Sequence, residues 1–216
     1  MTRLVGVDEV NYSPSLAGDC VVCSYYRTGK KIKGVGDSKK LTHKKRVELF
    51  DGLTKEGLYY VVPATPNIIN HINVYYSRNS AIVSSLVGLG MVIRQMELDL
   101  PDKVEIDGKW SQKWLSIFSE TLGIPVEGII RGDETVYEIS AASIIARIYC
   151  DALFEGWESF FPGWGIGYDH GSVSEKHKQE LWERGPSPVH RIGVYGNDWW
   201  RRLLPEEKFK GIFRDV

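Results

Sequence analysis

The stretch LVGVDEV, residues 4–10, places an apolar, partly β-branched run directly before two adjacent carboxylates, Asp8 and Glu9. Such a run predicts a buried strand from Leu4 to Val7 that carries Asp8 at its carboxyl end. Two neighbouring carboxylates are costly to bury unless a cation or hydrogen-bond donors meet them. The stretch therefore predicts a strand that delivers acidic side chains to a site.

The composition is that of a globular protein with a hydrophobic core. Of the 216 residues, 43% are hydrophobic and 25% are charged, and the formal net charge is -1. These values exclude a disordered or strongly basic chain. No apolar run approaches the roughly 20 residues of a membrane span, and the N-terminus lacks the pattern of a signal peptide. We therefore expect a cytoplasmic protein that does not contact a membrane.

The three cysteines are Cys20, Cys23 and Cys150. The pair Cys20 and Cys23 lies inside an apolar, strand-like run, whereas a redox motif should begin a helix. We therefore expect buried, reduced thiols and no zinc site.

A basic segment lies between Arg27 and Lys55, where ten Lys or Arg residues stand against three acidic residues. Such a segment can attract a polyanion even though the whole chain is slightly acidic. The alternative is an ordinary solvated helix face.

The rest of the chain alternates strand and helix patterns. We expect strands over residues 18–26, 58–62, 103–106 and 126–130, and helices over 42–55, 77–98, from 140 onward and over 174–183. This order predicts an α/β fold with a central mixed β-sheet flanked by helices. The sheet and its helices would form one domain over residues 1–196, and residues 197–216 would form a helical tail packed on it.

Three predicted strand ends each present an aspartate: Asp8, Asp107 and Asp133. One such residue is usually a turn residue or a cap, but three at neighbouring strand ends repel one another unless a cation neutralises them. Oxygen ligands favour Mg²⁺ or Mn²⁺, and two such ions can activate a water and stabilise the leaving oxygen of a phosphodiester.

Glu9 leaves two alternatives open, because neighbours on a strand point to opposite faces. Either the strand ends or bulges at Glu9, or Glu9 contacts a metal through its carbonyl or through a water.

Several tracts combine with the acidic positions into a recognisable pattern. They are GVDEV (6–10), GDSKKLT (36–42), IDG (106–108), GDETVYEISAASIIARIYCD (132–151), GIGY (165–168) and GPSPVHR (185–191). In this order and spacing they resemble ribonuclease HII, the type 2 ribonuclease H family. The resemblance implies a ribonuclease H-like fold and endonucleolytic cleavage of the RNA strand in RNA–DNA hybrid duplexes. It also implies a two-metal mechanism that leaves 3′-hydroxyl and 5′-phosphate ends.

The resemblance also assigns the site residue by residue. The catalytic and metal-binding acids would be Asp8, Glu9, Asp107 and Asp133. The substrate contacts would be Lys39 and Lys40 at phosphates, Ser140 and Ser143 at a helix start near the backbone, and Tyr168 at the nucleotide of the DNA–RNA junction.

The loop after the two acids departs from the family pattern. Where the family has Gly-Arg-Gly-Pro, this chain has Asn11, Tyr12 and Ser13 before Pro14. In the family this loop reads the ribose 2′-hydroxyl, and its glycines permit a close approach and a positive φ that tyrosine resists. We expect the side chains of Asn11, Tyr12 and Ser13 to contact the substrate, and recognition of a single embedded ribonucleotide to be weakened or altered.

Two other functions stay open at this stage. A protein of this fold could bind nucleic acid without cleaving it, although the four retained acids argue against this. It could also be a metal-dependent nuclease that acts on DNA, which only the altered loop favours.

The expected partner is an RNA–DNA hybrid or a ribonucleotide-containing duplex, bound by a monomer. Phe209, Ile212 and Phe213 could dock a sliding clamp, but they lack the spacing of the usual clamp-binding peptide. The alternative is that they pack on the protein's own core.

Overall fold

The computed structural model describes residues 2–12 and 15–192, apart from the side chain of Tyr168. Its strands are β1 (Leu4–Val10), β2 (Cys20–Arg27), β3 (Gly57–Ala64), β4 (Lys103–Asp107) and β5 (Val126–Ile129). Its helices are α1 (His43–Lys55), α2 (Pro66–Gln95), α3 (Gln112–Leu122), α4 (Gly132–Thr135), α5 (Tyr137–Phe160), α6 (Ile166–Asp169) and α7 (Glu175–Arg184), with a 3₁₀ turn over Ser38–Lys40. Within these residues, no helix has the length and apolar character needed to cross a membrane.

The five strands form one mixed sheet in the order β3-β2-β1-β4-β5. The central strand β1 pairs antiparallel with β2 and parallel with β4, and β4 pairs parallel with β5. The predicted α/β class with a mixed sheet is confirmed. Because β1 and β4 run in the same direction, their carboxyl ends lie at the same edge of the sheet.

The chain divides into two compact units. The first unit comprises residues up to Val10, Val21–Val62 and Asn79–Tyr149, and the second comprises Asn11–Cys20, Pro63–Arg78 and the chain from Cys150 onward. The four predicted acids and the basic segment belong to the first unit. The loop after the acids, Tyr168 and the GPSPVHR tract belong to the second.

The predicted C-terminal tail over 197–216, including Phe209, Ile212 and Phe213, lies outside the described residues. The division into a domain over 1–196 and a tail therefore stays a prediction. The predicted burial of the thiols is confirmed, since Cys20, Cys23 and Cys150 are buried and form no disulfide.

In the first unit, α5 packs on β1 with no side chain between the two backbones. A Cβ added at Gly6 would lie 2.1 Å from the carbonyl carbon of Glu138, so only glycine fits at this position. The next residues of the helix that face inward, Ala141 and Ala142, are small and fully buried. This contact brings the start of α5 against β1 only two residues before Asp8.

Helix α2 begins earlier than the predicted start at residue 77. Its backbone is interrupted at Asn73, which has non-helical angles (φ 65°, ψ 164°). The Asn73 side chain accepts hydrogen bonds from the backbone N–H groups of Tyr75 (3.0 Å) and Tyr76 (3.1 Å). Asn73 is therefore the N-cap of a second helical segment within α2, close to the residue where the apolar periodicity begins.

Candidate active site

Asp8 and Asp107 occupy neighbouring positions on two parallel strands. Val7 pairs with Ile106, so the next residues, Asp8 and Asp107, lie level with each other on one face of the sheet. Burial is the main cause that raises the pKa of Asp8, and the charges of Glu9 and Asp107 add to it. Burial and the charge of Asp133 likewise raise the pKa of Asp107. Both carboxyls therefore favour a bound proton or a bound cation.

Asp133 joins this group from a helix, so its prediction as a strand-end residue was wrong. Strand β5 ends at Ile129, and Asp133 lies in the first turn of α4, after Arg131 in the left-handed conformation (φ 57°). The N–H of Asp133 donates to Oδ1 of Asp107 (3.2 Å), and its carbonyl accepts from Oγ of Ser140 (2.7 Å). These bonds connect β4, α4 and the start of α5.

Glu9 follows Asp8 on an unbroken strand, so the predicted end of the strand at Val7 was too early. The pairing of β1 with β2 is regular from Val5 to Val10, without a bulge, and the N–H of Glu9 donates to Oδ1 of Asp8 (2.8 Å). A strand end or bulge at Glu9 is thereby excluded. A metal contact through its carbonyl or through a water stays a prediction.

The 3₁₀ turn over Ser38–Lys40 carries two predicted lysines to the acidic residues. Nζ of Lys39 lies 3.4 Å from Oδ2 of Asp133, and Nζ of Lys40 lies 3.4 Å from Oε1 of Glu134. Burial alone lowers the pKa of Lys39, but the carboxylates raise it overall, so the ammonium stays charged. Both side chains are 70% exposed and remain accessible to a further anion.

Two serines connect this turn to Asp8. Oγ of Ser38 and Oγ of Ser143 are 2.8 Å apart, and a hydrogen bond from Ser143 opposes the effect of burial on the pKa of Asp8. Either hydroxyl can be the donor in the bond between the two serines. Ser38 was missing from the predicted site, although it stands between the two best signals of its tract, Asp37 and Lys39.

Ser140 and Ser143 lie in the first turns of α5, which begins at Tyr137, three residues before the predicted start. Both side chains are buried, and both contact the acidic residues or their backbone. Their predicted contact with the substrate backbone stays a prediction.

Asn11 turns the chain directly after β1. Its backbone is left-handed (φ 62°), a conformation that asparagine tolerates better than most residues. Nδ2 of Asn11 donates to the carbonyls of Ala17 (3.2 Å) and Asp19 (2.9 Å) and so closes the loop. Directly after β1, where the family pattern has a glycine, the positive φ is therefore adopted by Asn11 and not by Tyr12.

A buried arginine from the far end of the chain fixes the same loop. Arg191 is fully buried and donates to the carbonyls of Asn11 (2.7 Å), Tyr12 (3.1 Å) and Gly18 (2.8 Å). It is the last residue of GPSPVHR, a tract that matched the family pattern but received no role from the sequence. In the structure, this tract stabilises the loop after β1.

The remaining predicted contacts are only partly described. Tyr12 is half-buried, and the guanidinium carbon of Arg78 lies 4.2 Å from the centre of its ring. Ser13 lies outside the described residues, and for Tyr168 only the backbone is described, within α6. The substrate contacts of Ser13 and Tyr168 stay predictions.

The chemistry of the acidic residues fits a hard divalent cation. Their donors are carboxylate oxygens, and Asp8 and Asp107 keep raised pKa values despite the nearby Lys39. Cys23 pairs with Asp8 across β1 and β2, and burial raises the pKa of its thiol, to which the charge of Asp8 adds. Over residues 2–12 and 15–192, no three acidic, imidazole or thiol side chains form a ready-made metal site.

Comparisons with known proteins identify relatives. A family model described as ribonuclease HII matches residues 5–194. A protein of Alkaliphilus oremlandii described as ribonuclease HII is 33% identical over 163 residues, which cover 74% of this chain and 74% of that protein.

Solved structures share the fold. Ribonuclease H2 from Pyrococcus horikoshii is 24% identical, with a TM-score of 0.70 and full coverage of both chains. A structure of the PCNA–ribonuclease HII complex from Archaeoglobus fulgidus contains a chain with a TM-score of 0.70 and 21% identity, covering 88% of this chain and 94% of that one. At these identities the likeness supports the fold alone.

Proposed function

The chain belongs to the ribonuclease HII family and is a ribonuclease H that hydrolyses the RNA strand of RNA–DNA hybrids, and from this premise we propose how its residues act. The observation that carries the proposal is the connected group of Asp8, Asp107 and Asp133. Asp8 and Asp107 lie level on parallel strands, and the backbone N–H of Asp133 donates to the carboxylate of Asp107.

Asp8, Glu9, Asp107 and Asp133 would hold two divalent cations, Mg²⁺ or Mn²⁺. When bound, such ions supply an activated water and stabilise the leaving oxygen of the phosphodiester. Asp8 and Asp107 have raised pKa values because their negative charges are buried close to other carboxylates. The same crowding favours a cation over a proton once the cation is present. The cleaved strand would keep a 3′-hydroxyl and a 5′-phosphate end.

Lys39 and Lys40 would bind phosphates of the substrate backbone. Their ammonium groups are exposed and lie beside Asp133 and Glu134, so they stand at the rim of the acidic group. Ser140 and Ser143 would act on the reaction mainly through the acids that they orient.

Recognition of a single embedded ribonucleotide would be weakened or altered. The backbone carbonyls of Asn11 and Tyr12 accept hydrogen bonds from Arg191, and the loop lacks the glycines that permit a close backbone approach. Side chains would therefore make the contacts with the ribose region.

A set of matched duplexes tests this function. One sequence is prepared with one ribonucleotide, with four ribonucleotides, with a full RNA strand and as DNA only, and each duplex is incubated with Mg²⁺ or Mn²⁺. We expect the full RNA strand to be cut about tenfold faster than the duplex with a single ribonucleotide. In that duplex, cleavage depends on hydrogen bonds to one ribose, and the altered loop would make fewer of them. Asp8→Asn should lower cleavage by at least about a hundredfold.

Each contrary result has a distinct meaning. Equal or preferred cutting of the single-ribonucleotide duplex would contradict the proposal that recognition of a single ribonucleotide is weakened or altered. Cleavage of the DNA duplex would identify a DNA nuclease. The protein would be a non-catalytic binding protein if the parent binds hybrids without cutting them and Asp8→Asn binds them equally well.

A sliding clamp is proposed as a further partner, because a neighbouring fold was solved with PCNA. The contact would use Phe209 and Phe213 of the tail. A double variant, Phe209→Ala with Phe213→Ala, should lose clamp binding in a pull-down with the purified clamp and keep its melting temperature. A lower melting temperature with unchanged clamp binding would instead indicate packing on the protein's own core. The monomeric state and the cytoplasmic location stay predictions.

A further inference from the structure

We propose that Arg78, stacked on Tyr12, binds a phosphodiester of the substrate strand close to the cleaved bond. The proposal rests on the proposed function and adds a residue that no sequence pattern indicated. The family pattern has an arginine in this loop, and this chain does not. Arg78, which lies on α2, would supply the missing positive charge.

The guanidinium of Arg78 lies against two aromatic rings. The guanidinium carbon of Arg78 lies 4.2 Å from the centre of the Tyr12 ring and 5.5 Å from that of Tyr75. Both distances fall within the range of a cation–π contact. A guanidinium held against aromatic rings loses little further freedom when it binds an anion, and its planar set of donors matches phosphate geometry.

Tyr12 follows Glu9 closely in the chain. Three peptide steps separate Tyr12 from Glu9, so their Cα atoms lie at most about 11 Å apart. In one strand of a duplex, successive phosphates advance by about 3.4 Å along the helix axis. A group fixed on the Tyr12 ring is thus within a few phosphates of any strand bound at Glu9.

The backbone at Tyr12 is held in place, and the surroundings of its ring suit nucleic acid. The carbonyl of Tyr12 accepts a hydrogen bond from the buried Arg191, which limits the movement of the loop. Beside the pair, Tyr75 and Tyr76 are 36% and 52% exposed. Arginine interleaved with accessible aromatic rings is typical of surfaces that bind nucleic-acid strands.

Salt-dependent binding distinguishes a phosphate contact from a purely structural stack. A fluorescent RNA–DNA hybrid is titrated by anisotropy over a series of salt concentrations, with Ca²⁺ in place of the catalytic metal. The variants are Arg78→Ala, Arg78→Lys and Tyr12→Ala. Arg94→Ala is the matched control, because Arg94 is an exposed arginine on the same helix and lies in the first unit.

We expect Arg78→Ala to weaken binding about tenfold and to lower the salt slope by about one. Arg78→Lys should keep the slope and lose part of the affinity, because an ammonium lacks the planar donor set. Tyr12→Ala should weaken binding and be non-additive with Arg78→Ala, since it removes the support of the guanidinium. Arg94→Ala should change neither quantity.

Parental affinity and slope in Arg78→Ala would overturn the proposal, and so would a loss of affinity with an unchanged slope. Should Arg78→Ala fail to fold, parental binding by both Arg78→Lys and Tyr12→Ala would overturn it instead. A parent that binds the hybrid without cutting it would refute the proposed function alone, because the slopes still decide the contact. A parent that cuts the hybrid while Arg78→Ala binds normally would refute the contact alone. A parent that does not bind the hybrid would refute both.

Discussion

Asp8 lies on a buried strand beside Glu9 and Asp107, and these surroundings raise its pKa. A carboxyl whose pKa rises on folding destabilises the folded protein only when it is ionised. The cost is absent at a pH below the ordinary carboxyl pKa and grows as the pH rises toward the folded value. The same ionised group would bind the cation, so the cost to folding and the affinity for metal have one origin.

Asp8→Asn should therefore stabilise the metal-free protein at neutral pH while it abolishes cleavage. Each kcal/mol of relief should raise the melting temperature by about 2–4 °C for a chain of this size. Thermal unfolding in a chelator measures the effect, and Asp51→Asn, at an exposed acid on α1, is the control that should change nothing. Added Mg²⁺ should raise the melting temperature of the parent more than that of the variant. A variant that melts below the parent in the chelator would contradict this account.

At the scale of elements, the sequence predicted which strands exist better than where elements begin and end. All five strands were predicted from their apolar runs and are confirmed. Charged residues were read as the end of β1, but the pairing with β2 continues to Val10. Helix α4 has four residues, too few to show a helical period, so Asp133 was wrongly placed at a strand end.

The contacts between distant elements were beyond any local pattern. Lys39 and Asp133 are 94 positions apart, and Arg191 and Asn11 are 180 positions apart. The four acids and the DSKK lysines could be named because they belong to recognisable tracts. Arg78 and Arg191 could not be given a role, because their partners are defined only by the folded chain.

The contact of α5 with β1 leads to a prediction about Gly6. Gly6→Ala should lower the free energy of unfolding by about 3 kcal/mol or more, because the new methyl would overlap the backbone of Glu138. Urea unfolding measures the loss. Gly36→Ala is the matched control, since a Cβ at Gly36 meets nothing within 4 Å, and it should be neutral. Equal stability of the two variants would show that α5 can move away from β1 at little cost.

At the scale of the whole molecule, the raised carboxyls of the first unit and a buried histidine of the second unit should respond to acid in opposite directions. In the first unit, lowering the pH protonates the carboxyls whose pKa values are raised, and this removes the free-energy cost of burying their charge. In the second unit, burial is the main cause that lowers the pKa of His190 to about 3, and the charge of His177 adds to it. Nδ1 of His190 accepts from the N–H of Ser187 (2.8 Å), and the Nε2 atoms of the two histidines are 3.0 Å apart. This geometry suits a neutral pair.

The second unit should therefore lose stability as the pH falls. A histidine with a depressed folded pKa stabilises the protein above the unfolded value of about 6.5, and this contribution is lost at about 1.4 kcal/mol per pH unit as the pH falls toward 3. Hydrogen exchange, corrected for intrinsic rates, should show peptides from residues 150–192 losing protection in mild acid before peptides from residues 103–149.

His190→Gln should flatten this dependence on pH, whereas His43→Gln, at an exposed histidine on α1, should leave it unchanged. Protection of residues 150–192 that stays constant or rises in mild acid would show that the histidine pair does not control the unit.

The hydrogen bonds of Arg191 to the loop after β1 also bear on how the protein is made. The ribosome completes Asn11 180 residues before it adds the arginine that holds this loop. At about 5–20 residues per second, the loop waits roughly 10–40 seconds for that arginine. The loop that would read the substrate therefore takes its shape only after the whole sheet has been synthesised.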